Sequence, residues 1–326
     1  MTKGVPIMAH LLQLNDSMLK QNITATIVLA VALLASSCGS TTHDNDEQKR
    51  QEKALQAHKD SLALKIGVTP TIDCLPFFVA EQTGIFDSLG LEVSLKAMNS
   101  QMEIDDAMLD GNLECMVSDL MRTERLKRNG VPLEYVSATE AYWQMIGNRK
   151  NRIREISHLG DKMIAMSRYS ATDYLASLGI DSVKPENPVF RIQVNDVGVR
   201  LMMMLNNEMD AVMLPEPQAS AARAAGNHIL MDSRHKNIRL GVLAAHSRRI
   251  SDSRRKDQMA KLRKAYDLAC DSINTRGFSH YASIIKQCCH TDNAALKSLP
   301  KIEFHHITPP RQKDIDRTHN VRWRTS

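Results

Sequence analysis

LKIGVTPTIDCLPFFVAEQTGIFDSLGLEVSL, residues 64–95, sets the architecture. Its first five residues, Leu64 to Val68, read as an apolar strand. Residues 69–76 read as a turn, punctuated by Pro70 and Pro76. The run from Pro76 to Gly84 reads as a short helix that the glycine closes, because the residue past a helix end often turns left-handed. Residues 91–98 read as the next strand. A strand, a helix and a strand in this order predict a parallel or mixed sheet with covered faces.

The alternation continues downstream. Residues 102–111 and 118–130 read as helices, with strands at 113–117, 133–139 and 142–147. It then restarts with strands at 162–166, 189–194 and 210–214, separated by helices at 170–179 and 198–208. A helix at 215–226 opens on a proline. A strand at 238–246 follows, then helices at 252–276, 279–289 and 292–298, and a last strand at 301–307. Two such runs, with extended crossings near 137–143 and 228–240, predict an α/β protein of two lobes. The first lobe takes residues 63–140 and 229–326, and the second 141–228. Ligands in such sheets bind beyond the carboxyl ends of the strands, so the site is expected in the cleft between lobes.

Upstream, nine apolar residues from Ile27 to Ala35 end in Ser36, Ser37 and Cys38. A membrane-spanning helix needs ~20 apolar residues and a secretory signal ~7–15, so this is read as a signal over residues 1–37. Lys20 supplies its positive flank, and the start can equally be Met18. Small residues before Cys38 resemble the lipobox of bacterial lipoproteins, which makes Cys38 the expected lipidation site. A plain secretory signal with an incidental cysteine is the alternative. Residues 38–62 are then a polar tether, too poor in apolar residues to fold alone.

Of 326 residues, 43% are hydrophobic, ample for one large or two modest domains. The net charge is +5, yet basic and acidic residues interleave, and no basic block with aromatics suggests nucleic acid. Besides Cys38 there are five cysteines, an odd number with no CxxC spacing, which speaks against a disulfide framework. Cys288 and Cys289 are adjacent and lack clustered partners, so no metal and no cofactor are expected.

Four motifs carry a family resemblance. Ala80, Glu81, Gly84, Ile85, Phe86, Gly90, Leu91 and Val93 resemble the opening of the solute-binding proteins of ABC importers, in the branch for nitrate, sulfonates and thiamine-pyrimidine precursors. The stretches AMLDGNLECMVSD, ISHLGDKMIAMSRYSATDYLASLGI and MMLNNEMDAVMLPEPQASAARAAG resemble later motifs of that branch, in the same order. The resemblance covers about residues 64–250. It implies a type II periplasmic-binding-protein-like fold, no enzymatic activity, a small-molecule ligand, ABC permease partners, a monomer, and a lipid-anchored, extracytoplasmic place in the cell envelope. An enzyme on the same fold, or a sensor lipoprotein without transport, is the alternative.

The strand-to-helix turns supply the candidate ligand contacts: Thr71, Asp73, Cys74, Ser118, Asp119, Tyr169, Ser170, Thr172 and Glu216. Several have a second reading. Thr71, Asp73 and Ser170 are common helix caps, and Cys74 is equally a core residue. Asp73, Asp119 and Glu216 face only Arg168 as a base in these turns. That balance favours a cationic or amide-rich ligand, such as an aminopyrimidine, over an anion. Phe77, Tyr142, Trp143 and Tyr169 are the candidates to stack on a ring.

Overall fold

The computed structural model describes residues 62–319 and 321. The expected signal, Cys38 and nearly all of the tether lie outside the described residues. Two five-stranded sheets form two lobes with the same plan. The first contains β1 (Leu64–Val68), β2 (Val93–Ala97), β3 (Cys115–Asp119), β4 (Leu133–Ala138) and β10 (Gly241–His246), in the order β2-β1-β3-β10-β4. The second contains β5 (Trp143–Gly147), β6 (Met163–Met166), β7 (Phe190–Gln193), β8 (Ala211–Pro215) and β9 (His228–Asp232), in the order β7-β6-β8-β5-β9. In each sheet three strands run parallel, and the next runs against them. That antiparallel strand, β10 or β5, is the one that arrives from the other lobe. The carboxyl ends of the parallel strands lie where the chain turns toward the cleft.

Helices cover the sheets as the apolar patterns demand. In the first lobe they are α1 (Leu75–Gln82), α2 (Ile85–Ser88), α3 (Gln101–Leu109) and α4 (Leu120–Arg128). The second lobe has α5 (Ala171–Val183), α6 (Val197–Leu205) and α7 (Gln218–Ala224). The chain then returns through α8 (Ser253–Arg276), α9 (Ala282–Cys288) and α10 (Asn293–Lys297) to α11 (Gln312–His319). Leu64, Ile66 and Val68 of β1 pack with Phe77 of α1 and Leu262 and Tyr266 of α8 in one core. Met116 and Ala244 face the opposite side, with Ile104 and Met108 of α3. The second sheet is likewise packed on both faces. Strands buried on both faces read as continuous apolar runs, and AVMLP of β8 does so.

Two expectations are corrected. The second lobe does not end at residue 228, because β9 pairs with β5, with Gln144 opposite Asp232. The second crossing is therefore residues 233–240. Residues 301–307 form no strand. Their backbone is held instead by side chains of α8: Asp267 accepts from Ile307 N at 2.7 Å, and Asn274 exchanges bonds of 2.9 and 2.7 Å with Phe304. The same segment then laces both crossings. His305 lies 2.6 Å from Glu140 on the first, and Arg311 donates to the Asn237 side chain and carbonyl on the second, at 2.6 and 2.9 Å.

The crossings lie side by side at Gly241, whose carbonyl accepts from Thr139 N at 2.9 Å. A Cβ on Gly241 would run into the Thr139 hydroxyl and come within 2.5 Å of the Ala141 methyl. Glycine is what permits this approach.

Candidate ligand cleft

A narrow cleft, partly open to solvent and with a cavity volume of about 30 Å³, lies between the lobes. The first lobe lines it with Thr69, Thr71 and Asp73 after β1, and Asn99, Ser100 and Gln101 after β2. The second contributes Trp143, Ser167, Thr172, Asn195, Val197, Arg200 and Pro215. Hydroxyls and amides dominate. Three helices begin at this cleft, each capped by a side chain. Ser100 accepts from Glu103 N at 3.2 Å, Ser170 from Thr172 N at 3.1 Å, and Asp196 from Val199 N at 2.9 Å. Their amide ends favour a ligand's electron-rich groups.

The two charges are Asp73 from one lobe and Arg200 from the other. Burial raises the carboxyl pKa of Asp73, against the lowering effect of the Thr71 hydroxyl. Arg200 is 4% exposed and donates to the carbonyls of Met213 at 3.0 Å and Val194 at 2.6 Å. Burial lowers its pKa to about 10. No carboxylate among the described residues forms an ion pair with it; carbonyl oxygens face the guanidinium, and the nearby Asp196 charge favours its protonated form. An electron-rich ligand group beside it would be held by a charge-assisted bond.

Of the nine residues named from the sequence, the structure brings Thr71, Asp73 and Thr172 to the cleft lining. The others serve elsewhere. Cys74 is fully buried in the core, its Sγ 3.8 Å from the Thr71 hydroxyl, and burial raises its thiol pKa. Asp119 caps α4 by accepting from Arg122 N at 3.0 Å, with Ser118 buried beside it. Burial pushes Asp119 up to about 6. The Tyr169 ring has the Arg125 guanidinium at 5.1 Å and that of Arg168 at 5.8 Å. Ser170 holds its own helix and the Ser167 carbonyl, 2.6 Å away. Glu216 is 2% exposed and spends both oxygens inside the protein: Oε1 on Arg223 at 2.8 Å, Oε2 on Ser220 N and Oγ at 2.9 and 2.6 Å. Two of the three carboxylates assigned to the cleft are thus withdrawn from it. Among the lining residues the expected acidic excess becomes one acid against one base, with the capping Asp196 close to Arg200.

Among the stacking candidates, Trp143 lines the cleft. Phe77 packs on Tyr266 with ring centroids 5.3 Å apart, and Tyr142 donates to Glu140 at 2.6 Å. Sequence reasoning missed Asn99, Asn195 and Arg200 because it read four strand-to-helix turns and omitted those after β2 and β7. Ser100 and Asp196, caps just ahead of apolar helical runs, are the signals that mark both turns.

Comparison with known proteins agrees with this geometry. The model of the NMT1-like family matches residues 57–138. No curated protein matches the sequence. Among solved structures, the ligand-binding component of an ABC-type import system from Staphylococcus aureus, with zinc bound, is similar at a TM-score of 0.66 and 13% identity, over 78% of this chain and 89% of that one. The alkanesulfonate-binding protein of Xanthomonas axonopodis pv. citri, bound to MOPS, gives 0.67 and 14%, over 78% and 89%. The periplasmic nitrate-binding protein of Synechocystis gives 0.63 and 11%, over 73% and 68%. The described chain has the two-lobed fold of periplasmic binding proteins, and its opening segment matches the NMT1-like family.

Proposed function

We propose that this protein is the solute-binding component of an ABC importer, anchored outside the cytoplasmic membrane by lipid on Cys38. It captures a small polar solute between its lobes and passes it to a permease. The observation that carries this reading is the cleft at converging strand ends, lined by hydroxyls and amides from both lobes. Its similarity to binding components of import systems supports the same role, and a binder needs no reaction. The solute carries an electron-rich group for Arg200 and the helix amides, a hydrogen donor for Asp73, and a flat face for Trp143. A nitrogenous ring compound meets all three demands.

Mass spectrometry of small molecules released by denaturing the purified protein tests the reading. A stoichiometric solute is expected from the wild type, and much less from Arg200→Met. Saturating neither protein from a panel of nitrogenous solutes, together with an empty wild type, would refute it. Metabolic labelling with a fatty-acid probe tests the anchor separately: the wild type should be tagged and Cys38→Ser should not. Equal tagging would sink the anchor and leave the cleft untouched.

A further inference from the structure

Glu216 looked from the sequence like a ligand contact, and its partners give it a different task. Arg223, on α7, donates through Nη1 to Glu216 at 2.8 Å and also to the side-chain amide oxygen Oε1 of Gln144. Its Nη2 donates to the Ser298 carbonyl at 3.0 Å. The Ser220 hydroxyl lies 2.6 Å from Glu216 Oε2 and 3.1 Å from that same carbonyl, with one proton to give to either. Ser298 belongs to the other lobe: it ends α10, and the flanking Leu296 and Leu299 pack on the first lobe's core. A helix-terminal carbonyl is an electron-rich group that a guanidinium satisfies well.

Other bonds cross at the same place. Gln218 donates to the Pro70 carbonyl at 2.8 Å, and Ile72 N donates to the Glu216 carbonyl at 2.8 Å. The cluster also reaches the crossings. Gln144 donates to Asp232 at 2.7 Å, Asp232 pairs with Arg234 at the start of the second crossing, and the Arg234 guanidinium lies 5.6 Å from the Tyr142 ring on the first.

We propose that Glu216, Ser220 and Arg223 are a closure latch, which holds the second lobe against the Ser298 carbonyl of the first before any solute enters. Glu216 is the positioning residue: it aims Arg223 and Ser220, and it touches no solute. The latch biases the equilibrium between open and closed forms, so a solute has less closing to drive and binds more tightly for the same contacts. This rests on the binding-protein reading for its purpose only, since every bond named joins residues of this chain to one another.

Amide hydrogen exchange on solute-free protein, stripped by unfolding and refolding, tests the latch. The peptide containing Ile72 reports the lobe–lobe contact, and the amides of β1 report the integrity of the fold. Arg223→Ala should speed exchange at Ile72 roughly tenfold to a hundredfold, the loss expected for one charge-assisted bond, with β1 unchanged. Glu216→Gln should give a smaller increase. Wild-type exchange at Ile72 in Arg223→Ala overturns the proposal. If β1 loses protection in that variant, Arg223→Lys decides by the same readout. Lysine keeps the charge but cannot reach Glu216 and Ser298 together, so faster exchange supports the latch and unchanged exchange refutes it. Neither result bears on whether the cleft takes a solute.

Discussion

Asp119 offers a quantitative test of the interior electrostatics. Its carboxylate is fully buried and accepts from Arg122 N at 3.0 Å, with the Ala171 amide also favouring its charged form. Desolvation is the largest cause of its rise from 3.8 to about 6, and the Arg122 guanidinium only partly offsets it. The folded chain therefore keeps a proton that the unfolded chain releases near 3.8. Between those values the folded state binds more protons, so this group's contribution to stability falls as pH rises and is fully lost above about 6. The gap amounts to roughly 3 kcal/mol at ~1.36 kcal/mol per pH unit. Asp119→Asn keeps the cap, since Asn and Asp cap about equally well, and removes the titration. Between pH 4.5 and pH 8 the stability difference should shift in favour of the variant by about 2 kcal/mol, because part of the wild-type loss is already incurred at the lower pH. Urea unfolding of both proteins at the two pH values measures this directly. A difference that stays constant with pH, or moves toward the wild type, would refute the assignment of a buried, poorly solvated carboxylate.

Two further substitutions probe the frame around the cleft. Gly241→Ala puts a methyl group against Thr139 and Ala141 where the crossings touch, and should cost ~1–3 kcal/mol in urea unfolding as overpacking; a neutral result would mean that the crossings separate easily. Arg255→Ala removes a 2.9 Å ion pair with Glu114 and a 3.0 Å bond to the Ala63 carbonyl that tie α8 to the start of β1. With Arg255 only 6% exposed, a loss of about 3 kcal/mol in thermal or urea unfolding is expected, and a loss below ~0.5 kcal/mol would class the pair with ordinary surface salt bridges.

The fold was readable because its signals are local. Apolar runs such as LKIGV and AVMLP, glycine stops and capping residues each act within a few positions, and they place most strands and helices. Segment 301–307 was misread because KIEFHHI has strand-like residues, while its conformation is decided by Asp267 and Asn274, distant in sequence. The site was less legible for a related reason. A carboxylate at a strand-to-helix turn reads the same whether it faces a ligand or a neighbour. Glu216 faces Arg223 and Ser220, and nothing local to residues 215–217 says so. Arg200 sits four residues into a helix with apolar neighbours, and only the packing of α6 against β8 brings it to the cleft.

The place of β10 bears on how the molecule assembles. This strand lies between β3 and β4, yet it follows both in the chain by the whole of the second lobe. Until residue 246 is available, β3 and β4 lack their shared neighbour and leave unpaired edges of the kind that recruit other chains. The second lobe is contiguous from β5 to β9 and needs no such wait. The expected order is therefore inverted relative to synthesis: the later lobe completes first, and the earlier one is finished around it. Pairings this distant in sequence carry a closure entropy that slows folding. The cleft needs both lobes, so it comes into being only in the last stage of folding.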